Sequence, residues 1–197
     1  MPRLFTGLEI PQRIRQHLSL LRAPLARAKW IEPEDMHITL RFAGDLDART
    51  ADAFLAQLAT IRGRPFAITI KGVGAFGGRE PRVLWAGVEA GGELAALYRA
   101  NDRAARAAGI EPDPREFKPH VTLARMRGAR QATVARFLEE NGDLRSEPFV
   151  ATEFLLLSAR PGSGGPPYGI EETFPLEVPA LETAVDHHKE QEPWRRS

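Results

Sequence analysis

Two tetrapeptides of the same pattern, H-x-T-x, occur in separate halves of the sequence. They read His37-Ile38-Thr39-Leu40 and His120-Val121-Thr122-Leu123. Both lie in segments rich in β-branched and aliphatic residues, which predicts strands. Because residues i and i+2 of a strand face the same side, each motif is expected to present one imidazole and one hydroxyl on one face. A single motif is weak evidence, but its repetition with aliphatic residues at the same two positions argues against chance.

Two histidines on a common face suggest acid–base catalysis. Imidazole titrates near neutral pH, so one ring can accept a proton while the other donates one. Each threonine hydroxyl can donate a hydrogen bond to a phosphoryl oxygen without adding charge. The four side chains therefore predict a phosphate-binding site at which an in-line displacement at phosphorus can be catalysed.

A metal site is the competing interpretation of the paired histidines. No carboxylate shares the alternation inside either motif, and the chain has no Cys, so a third ligand is missing nearby. Asp186, His187, His188 and Glu190 also attract attention, but adjacent histidines point apart on regular backbone, and the segment has little periodicity. We expect neither a metal nor a cofactor.

Two glycine-rich segments resemble phosphate-binding loops. Gly72, Gly74 and Gly77 match G-x-G-x-x-G, but a strand pattern follows where a dinucleotide site needs a helix. We therefore predict a loop between strands. The second segment, 161–169, is not followed by the G-K-[ST] of a phosphate-binding loop. We interpret this segment as a connection between the last two strands.

Hydrophobic periodicity divides the chain into alternating strands and helices. Strands are predicted at 3–10, 36–44, 66–71, 82–88, 118–126, 149–158 and roughly 168–177. Helices are predicted after Pro11, with Ile14, Leu18, Leu21 and Leu25 on one face, and before Gly63, before Gly109 and around 131–140. This interspersed order indicates an α/β or α+β protein. Strand-helix-strand with H-x-T-x occurs twice, which suggests two related lobes.

Composition excludes several classes of protein. With 197 residues, 43% hydrophobic and 27% charged, the chain is typical of a globular domain. No apolar run approaches a membrane span, and no signal-peptide core precedes Glu9 and Pro11. We expect a monomeric cytoplasmic protein without membrane contact. The net charge of +1 gives no strong field for nucleic acid, although 23 of the 27 basic residues are Arg, which grips phosphate with two donors.

With both motifs in view, the sequence resembles the 2H phosphoesterase superfamily. More narrowly, it is similar to the bacterial and archaeal RNA 2',3'-cyclic phosphodiesterases, also called 2'-5' RNA ligases. The resemblance covers roughly residues 3–177. Its pieces are RLF at 3–5, KWIEPEDMHITLRFAGDL at 29–46, GVGAFGG at 72–78, PRVLWAGV at 81–88, FKPHVTLAR at 117–125 and a late strand at 153–158.

The resemblance implies an α+β fold in which two pseudo-symmetric lobes of mostly antiparallel sheet, with outer helices, enclose a central cleft. We expect one bilobal domain over 1–179 and a polar, flexible tail over 180–197. The resemblance also implies hydrolysis of a terminal 2',3'-cyclic phosphate of RNA or a nucleotide to a 2'-phosphate, without a metal.

Individual residues take their roles from the same resemblance. His37 matches the proton donor to the leaving 3'-oxygen, and His120 matches the base that activates water. Thr39 and Thr122 match the phosphate-binding threonines. Arg125 matches an arginine near the phosphate, although strict alternation from His120 places it on the opposite face unless the strand bends. Phe5 and Tyr168 align with aromatic residues that flank the nucleotide, but each is also compatible with a purely structural role.

Two other functions remain open at this point. One is 2'-5' ligation of RNA ends, the reverse of the same reaction in the same site. The other is a nucleotide- or RNA-binding module without catalysis, against which the presence of both histidines and both threonines argues.

Overall fold

Nine strands and four α-helices form the part of the chain that the computed structural model describes, residues 3–159 and 168–177. The strands are β1 (Arg3–Glu9), β2 (Ala28–Trp30), β3 (His37–Asp45), β4 (Phe66–Phe76), β5 (Val83–Ala90), β6 (His120–Met126), β7 (Phe149–Ala151), β8 (Glu153–Ala159) and β9 (Tyr168–Pro175). The helices are α1 (Gln12–Ser19), α2 (Ala48–Leu58), α3 (Gly92–Ala107) and α4 (Gln131–Glu140), with a 3-10 turn at Pro33–Asp35. The tail expected over 180–197 lies outside the described residues.

The strands form one antiparallel sheet in the order β7-β4-β5-β6-β3-β1-β8-β9, and β2 pairs with β6 beside this path. The two strands that carry the H-x-T-x motifs, β3 and β6, are neighbours in the middle of the sheet. The sheet can therefore be divided between β6 and β3 into two halves, and each half has one motif strand at this central boundary. An antiparallel sheet with segregated helices confirms the α+β class.

The helices cover one side of this sheet and bury its aliphatic residues. Helix α3 packs against α2 and β3, and α4 packs against β4. Ile38, Val121 and Leu123, which are aliphatic members of the two motifs, are completely buried. Removing this apolar surface from water holds β3 and β6 in place, and it directs the alternate residues of both strands to the other face. No helix among the described residues has the length and apolar character needed to cross a membrane.

Several boundaries differ from the sequence-based prediction. Helix α1 ends at Ser19, so Leu21 and Leu25 lie beyond it, and β2 was not predicted. The segment 149–158 contains two strands, β7 and β8, separated by one residue.

The G-x-G-x-x-G segment also differs from its prediction as a loop. Gly72 and Gly74 belong to β4, and of the three glycines only Gly77 lies in the turn. Gly74 pairs with Trp85 across the sheet, and a Cβ there would collide with the indole ring. Gly74 therefore allows close packing inside the sheet, and the predicted loop between strands is confined to the turn that follows Phe76.

Candidate active site

The register between β3 and β6 brings the two motifs together. Ile38 pairs with Val121 in antiparallel orientation. One residue further in each direction, this register sets His37 across from Thr122 and Thr39 across from His120. All four side chains line a single cavity of about 590 Å³. The common face that alternation predicted is therefore present, and each imidazole has the other motif's threonine as its neighbour.

Both histidines begin their strands and are oriented in the same way. His37 Nδ1 lies 2.8 Å from the carbonyl oxygen of Asp35, and His120 Nδ1 lies 2.6 Å from that of Lys118. A carbonyl oxygen only accepts hydrogen bonds, so each Nδ1 carries a proton and donates it. In the neutral ring, Nε2 is then left unprotonated and free to accept a proton.

Aromatic rings fix the position of both imidazoles. The centroid of the His37 ring lies 5.0 Å from that of Phe5 and 5.0 Å from that of Tyr168, which meets it edge-on. Phe76 meets the ring of His120 edge-on at 5.0 Å. Each histidine thus rotates little about its side-chain bonds, which preserves the direction of its Nε2 atom.

Burial lowers the pKa of both histidines. The pKa of His37 falls to about 4, chiefly because the ring is removed from water, while its hydrogen bond to the Asp35 carbonyl acts in the opposite direction. Burial also lowers the pKa of His120, and the hydrogen bond to the Lys118 carbonyl again opposes it. The positive charge of Arg125 lowers both pKa values further. Both pKa values lie below the ordinary value of imidazole, so both rings are mainly neutral at pH 7.

A β-bulge brings Arg125 to the face of the sheet that lines the cavity. Leu84 pairs with Ala124 but the next residue, Trp85, pairs with Thr122, so Leu123 is an extra residue in β6. An extra residue reverses the alternation beyond it, and Arg125 consequently lines the same cavity as His120. The bend that the sequence analysis required for this residue is present.

The first lobe repeats this bulge with a different side chain. Thr6 pairs with Arg41 and Gly7 with Thr39, which makes Leu40 the extra residue in β3. Phe42 then occupies the position in β3 that Arg125 occupies in β6, and it also lines the cavity. The two halves of the site are alike in their histidines and threonines, but one half adds a cation and the other an aromatic ring.

The threonines and the flanking aromatic residues complete the predicted set. Neither the Thr39 nor the Thr122 hydroxyl has a hydrogen-bond partner in the described part of the chain, and both residues line the cavity. Phe5 is 1% exposed and packs against the His37 ring. Tyr168 is half-buried, and its ring contacts both Phe5 and His37.

The cavity offers no metal-binding cluster among the residues that the structure describes. Within 3–159 and 168–177, no three His, Cys, Asp or Glu side chains converge. The tail residues Asp186, His187, His188 and Glu190, which the sequence analysis interpreted as unrelated to metal binding, lie outside the described residues.

A search against protein-family models finds a match described as LigT-like phosphoesterase over residues 8–85 and 87–168. The match has two segments, and each contains one H-x-T-x motif. The chain belongs to this family. The sequence-based identification as a 2H phosphoesterase is thereby confirmed.

Curated relatives agree with this assignment. A protein of Aquifex aeolicus named RNA 2',3'-cyclic phosphodiesterase is 32% identical over 85% of this chain and 90% of its own length. A protein of Methanothermobacter thermautotrophicus with the same name is 31% identical over 88% of this chain and 98% of its own length. One from Aeropyrum pernix is 39% identical over 67% of this chain and 75% of its own length.

Solved structures have the same fold. A crystal structure from Thermus thermophilus superposes with a TM-score of 0.73 at 26% identity, covering 88% of this chain and 97% of that one. Escherichia coli LigT, crystallised with 3'-AMP, superposes with a TM-score of 0.74 at 24% identity, covering 90% of this chain and all of that one. The bilobal α+β architecture expected from the sequence is confirmed.

Sequence analysis missed several residues that line the cavity. They are Asp35, Phe42, Phe76, Tyr98, Asp113, Arg115, Phe117 and Lys118, among others. Lys118 places its ammonium 4.5 Å from the centre of the Trp85 ring, next to His120. The cavity residues between positions 113 and 118 could have been suspected from the sequence, because they directly precede the second motif. Whether their side chains face the cleft depends on the course of a loop, which hydrophobic periodicity does not predict.

Proposed function

We propose that this chain hydrolyses 2',3'-cyclic phosphate at RNA ends, or on nucleosides, to a 2'-phosphomonoester without a metal ion. The observation that carries the proposal is the paired site, in which two imidazoles with free Nε2 atoms and two threonine hydroxyls line one cavity. The names of the curated relatives supply the substrate class.

The chemical step needs one base and one acid. In our proposal His120 Nε2 takes a proton from water as the water oxygen bonds to phosphorus. The bond between phosphorus and the 3'-oxygen breaks, and His37 Nε2 gives that oxygen a proton. The base ends protonated and the acid neutral, and one proton exchange with solvent restores both.

His37 must carry a proton before it can act as the donor. Its lowered pKa makes the protonated form scarce in the free protein at pH 7. A bound cyclic phosphate is an anion, and an anion within a few ångströms favours the imidazolium. Substrate binding would therefore raise the pKa of the acid that the reaction uses.

The remaining residues would hold the phosphate and the nucleotide. The hydroxyls of Thr39 and Thr122 and the guanidinium of Arg125 line the cavity beside the histidines, where they can donate hydrogen bonds to the phosphate oxygens. Phe5 and Tyr168 would border the nucleotide on the His37 side. We further propose a monomeric cytoplasmic enzyme that acts on RNA or nucleotide substrates and whose catalytic domain spans 1–179.

The test is incubation of the pure protein with an oligoribonucleotide that ends in a 2',3'-cyclic phosphate, followed by separation of the product isomers. Accumulation of the 2'-phosphate is expected. A 3'-phosphate product, or no turnover of either the oligonucleotide or a 2',3'-cyclic mononucleotide, would contradict the proposal. Joining of two RNA ends at high end concentration would show that a 5'-hydroxyl can replace water as the nucleophile in the same site.

A further inference from the structure

The bulge in β3 turns a charged side chain away from the cavity. Strict alternation would place Arg41 on the same face as His37 and Thr39, but Leu40 is an extra residue in this strand and reverses the pattern. Arg41 is only 3% exposed and does not line the cavity. A buried guanidinium needs partners for its charge and its N–H groups, and these partners identify its role.

Three segments of the chain supply the partners of Arg41. Its Nε lies 3.0 Å from Oδ1 of Asp102 in α3. Its two Nη groups donate to backbone carbonyl oxygens, one to that of Phe42 in β3 and the other to that of Glu111. Glu111 belongs to the pre-motif loop, which we define as residues 108–119, between α3 and β6. One buried side chain therefore joins the first motif strand, α3 and this loop.

The pre-motif loop forms one wall of the cavity but has little backbone support. Its residues from 111 to 117 have no helical or strand structure, and they make no backbone–backbone hydrogen bond within the described chain. The loop residues that line the cavity are Asp113, Arg115, Glu116, Phe117 and Lys118. Side-chain contacts must therefore determine the course of this wall.

Arg41 and α3 hold the loop near its two ends. Arg41 binds the carbonyl oxygen of Glu111 near the beginning. Near the end, the Phe117 ring stacks on that of Tyr98 with centroids 4.0 Å apart. Tyr98 lies one turn before Asp102, on the same face of α3. Because Arg41 also binds Asp102, it ties the helix that makes the second contact to β3.

The middle of the loop contains an exposed ion pair. Arg115 binds Asp113 through Nε at 2.8 Å and Nη2 at 2.6 Å, and its guanidinium carbon lies 5.1 Å from the ring centre of Phe42. The pKa of Asp113 is lowered chiefly by hydrogen bonds from Arg115 and further by the positive charge of Arg41. Since the Arg115 side chain is 66% exposed, this pair stabilises the loop less than the buried contacts of Arg41.

The end of the loop determines the orientation of His120. The carbonyl oxygen of Lys118, directly after Phe117, accepts a hydrogen bond from His120 Nδ1 at 2.6 Å. This bond selects the tautomer whose Nε2 can accept a proton. His37 makes the same kind of bond to Asp35, but Asp35 belongs to the 3-10 turn before β3. A shift of the loop would therefore disturb one histidine and leave the other in place.

We propose that Arg41 is a positioning residue for His120, because it holds the pre-motif loop where the Lys118 carbonyl meets Nδ1 and leaves Nε2 free. Arg41 is buried on the helix side of the sheet, so it acts through the loop and not on the substrate. The role of His120 as the base rests on the proposed function, whereas the tautomer of its ring can be measured without turnover.

The first measurement is ¹⁵N NMR of the histidine side chains at about pH 8, above the lowered pKa values of both cavity rings. Arg41→Lys offers one nitrogen in place of three. Arg41→Met combined with Asp102→Leu removes both members of the buried pair and leaves no unpaired charge. In each variant His120 should become a mixture of tautomers, while His37 keeps its proton on Nδ1. Spectra of His37→Ala and His120→Ala assign the signals.

The second measurement is steady-state kinetics with a 2',3'-cyclic nucleotide. Both variants should lower kcat roughly 10- to 100-fold, because a misplacement of about 1 Å can cost about 100-fold. KM should change much less, since Thr39, Thr122 and Arg125 lie on strands and not on the loop. Arg106→Met is the matched control. Arg106 also pairs with Asp102, at 3.2 Å, but its exposed side chain makes no hydrogen bond to the loop within the described residues, so kcat and both tautomers should match the parent.

Unchanged His120 tautomers in a folded variant would overturn the proposal, as would an unchanged kcat when the parent is active. Equal disturbance of His37 and His120 would also overturn it, because that result indicates a general loosening of the site. Circular dichroism checks folding, and the double variant tests the proposal if Arg41→Lys does not fold. A parent protein without turnover, whose variants still show the selective change at His120, would refute the proposed function and leave the positioning role of Arg41 intact.

Discussion

Ile38 of β3 lies directly across the antiparallel sheet from Val121 of β6. Each is the second residue of its H-x-T-x motif, so the pair marks the local pseudo-twofold axis of the site. Both are fully buried on the helix side, and the histidines and threonines that flank them consequently face the opposite side together. This one relationship brings two motifs that are distant in sequence onto a single face that lines the cavity.

Replacing either His37 or His120 by Ala should lower turnover of a 2',3'-cyclic nucleotide by roughly 10²–10⁴, the usual contribution of one general acid or base. His17→Ala is the matched control, because His17 is exposed on α1, and it should keep the parent rate. Steady-state kinetics measure the effect, and thermal melting confirms folding. A near-normal rate for either cleft variant would reduce that histidine to a structural role.

The pH profile of kcat/KM should be bell-shaped with its maximum below about pH 6.5, the ordinary pKa of imidazole. One imidazole must be protonated and the other neutral, and kcat/KM reports the pKa values of the free enzyme. Burial lowers the pKa values of both histidines, that of His37 to about 4. The maximum of kcat/KM is therefore expected between these two lowered pKa values. Because bound anionic substrate favours imidazolium, the kcat profile should lie at higher pH. A flat kcat/KM profile from about pH 5 to 9, with chemistry rate-limiting, would count against the paired imidazoles.

Arg125→Met should move the kcat/KM bell to higher pH. The positive charge of Arg125 lowers the pKa of both His37 and His120, so its removal raises both values. KM should also increase, because a donor to the phosphate is lost. Arg127→Met, two residues further along, is the control and should leave the profile in place. An unshifted bell in a folded Arg125→Met protein would place this guanidinium outside the electrostatic reach of the site.

Thr39→Val and Thr122→Val should each reduce kcat/KM while both limbs of the pH profile are retained. Valine keeps the β-branched shape and removes only the hydroxyl. A hydrogen bond to a charged group contributes about 1.5–3 kcal/mol, which corresponds to a loss of roughly 10–200-fold. Loss of one limb in either variant would instead indicate that the hydroxyl adjusts the pKa of a histidine, its cross-strand neighbour.

Hydrolysis should survive removal of divalent metals. The described residues contain no cluster of three metal-ligating side chains, and the proposed acid and base are imidazoles. Rates are compared before and after exhaustive dialysis against EDTA. Activity that disappears on dialysis and returns with added zinc or manganese would require a different mechanism.

The sequence by itself determined most of the architecture and predicted the chemistry that we propose. Alternation along a strand is a local property, so H-x-T-x was sufficient to predict which side His37, Thr39, His120 and Thr122 share. Periodicity identified the major strands and helices for the same reason. The repetition of the motif indicated two lobes, and the resemblance indicated the family that the comparisons confirm.

The tertiary structure alone decided where Arg125 and Phe42 lie, how far the pKa of His37 is lowered and what Arg115 contacts. The bulges at Leu123 and Leu40 depend on how each strand pairs with its neighbour, which local pattern does not encode. The pKa of His37 depends on burial by residues that include Phe5 and Tyr168, from opposite ends of the chain. Interactions between residues distant in sequence produce these features, and only the folded chain brings those residues into contact.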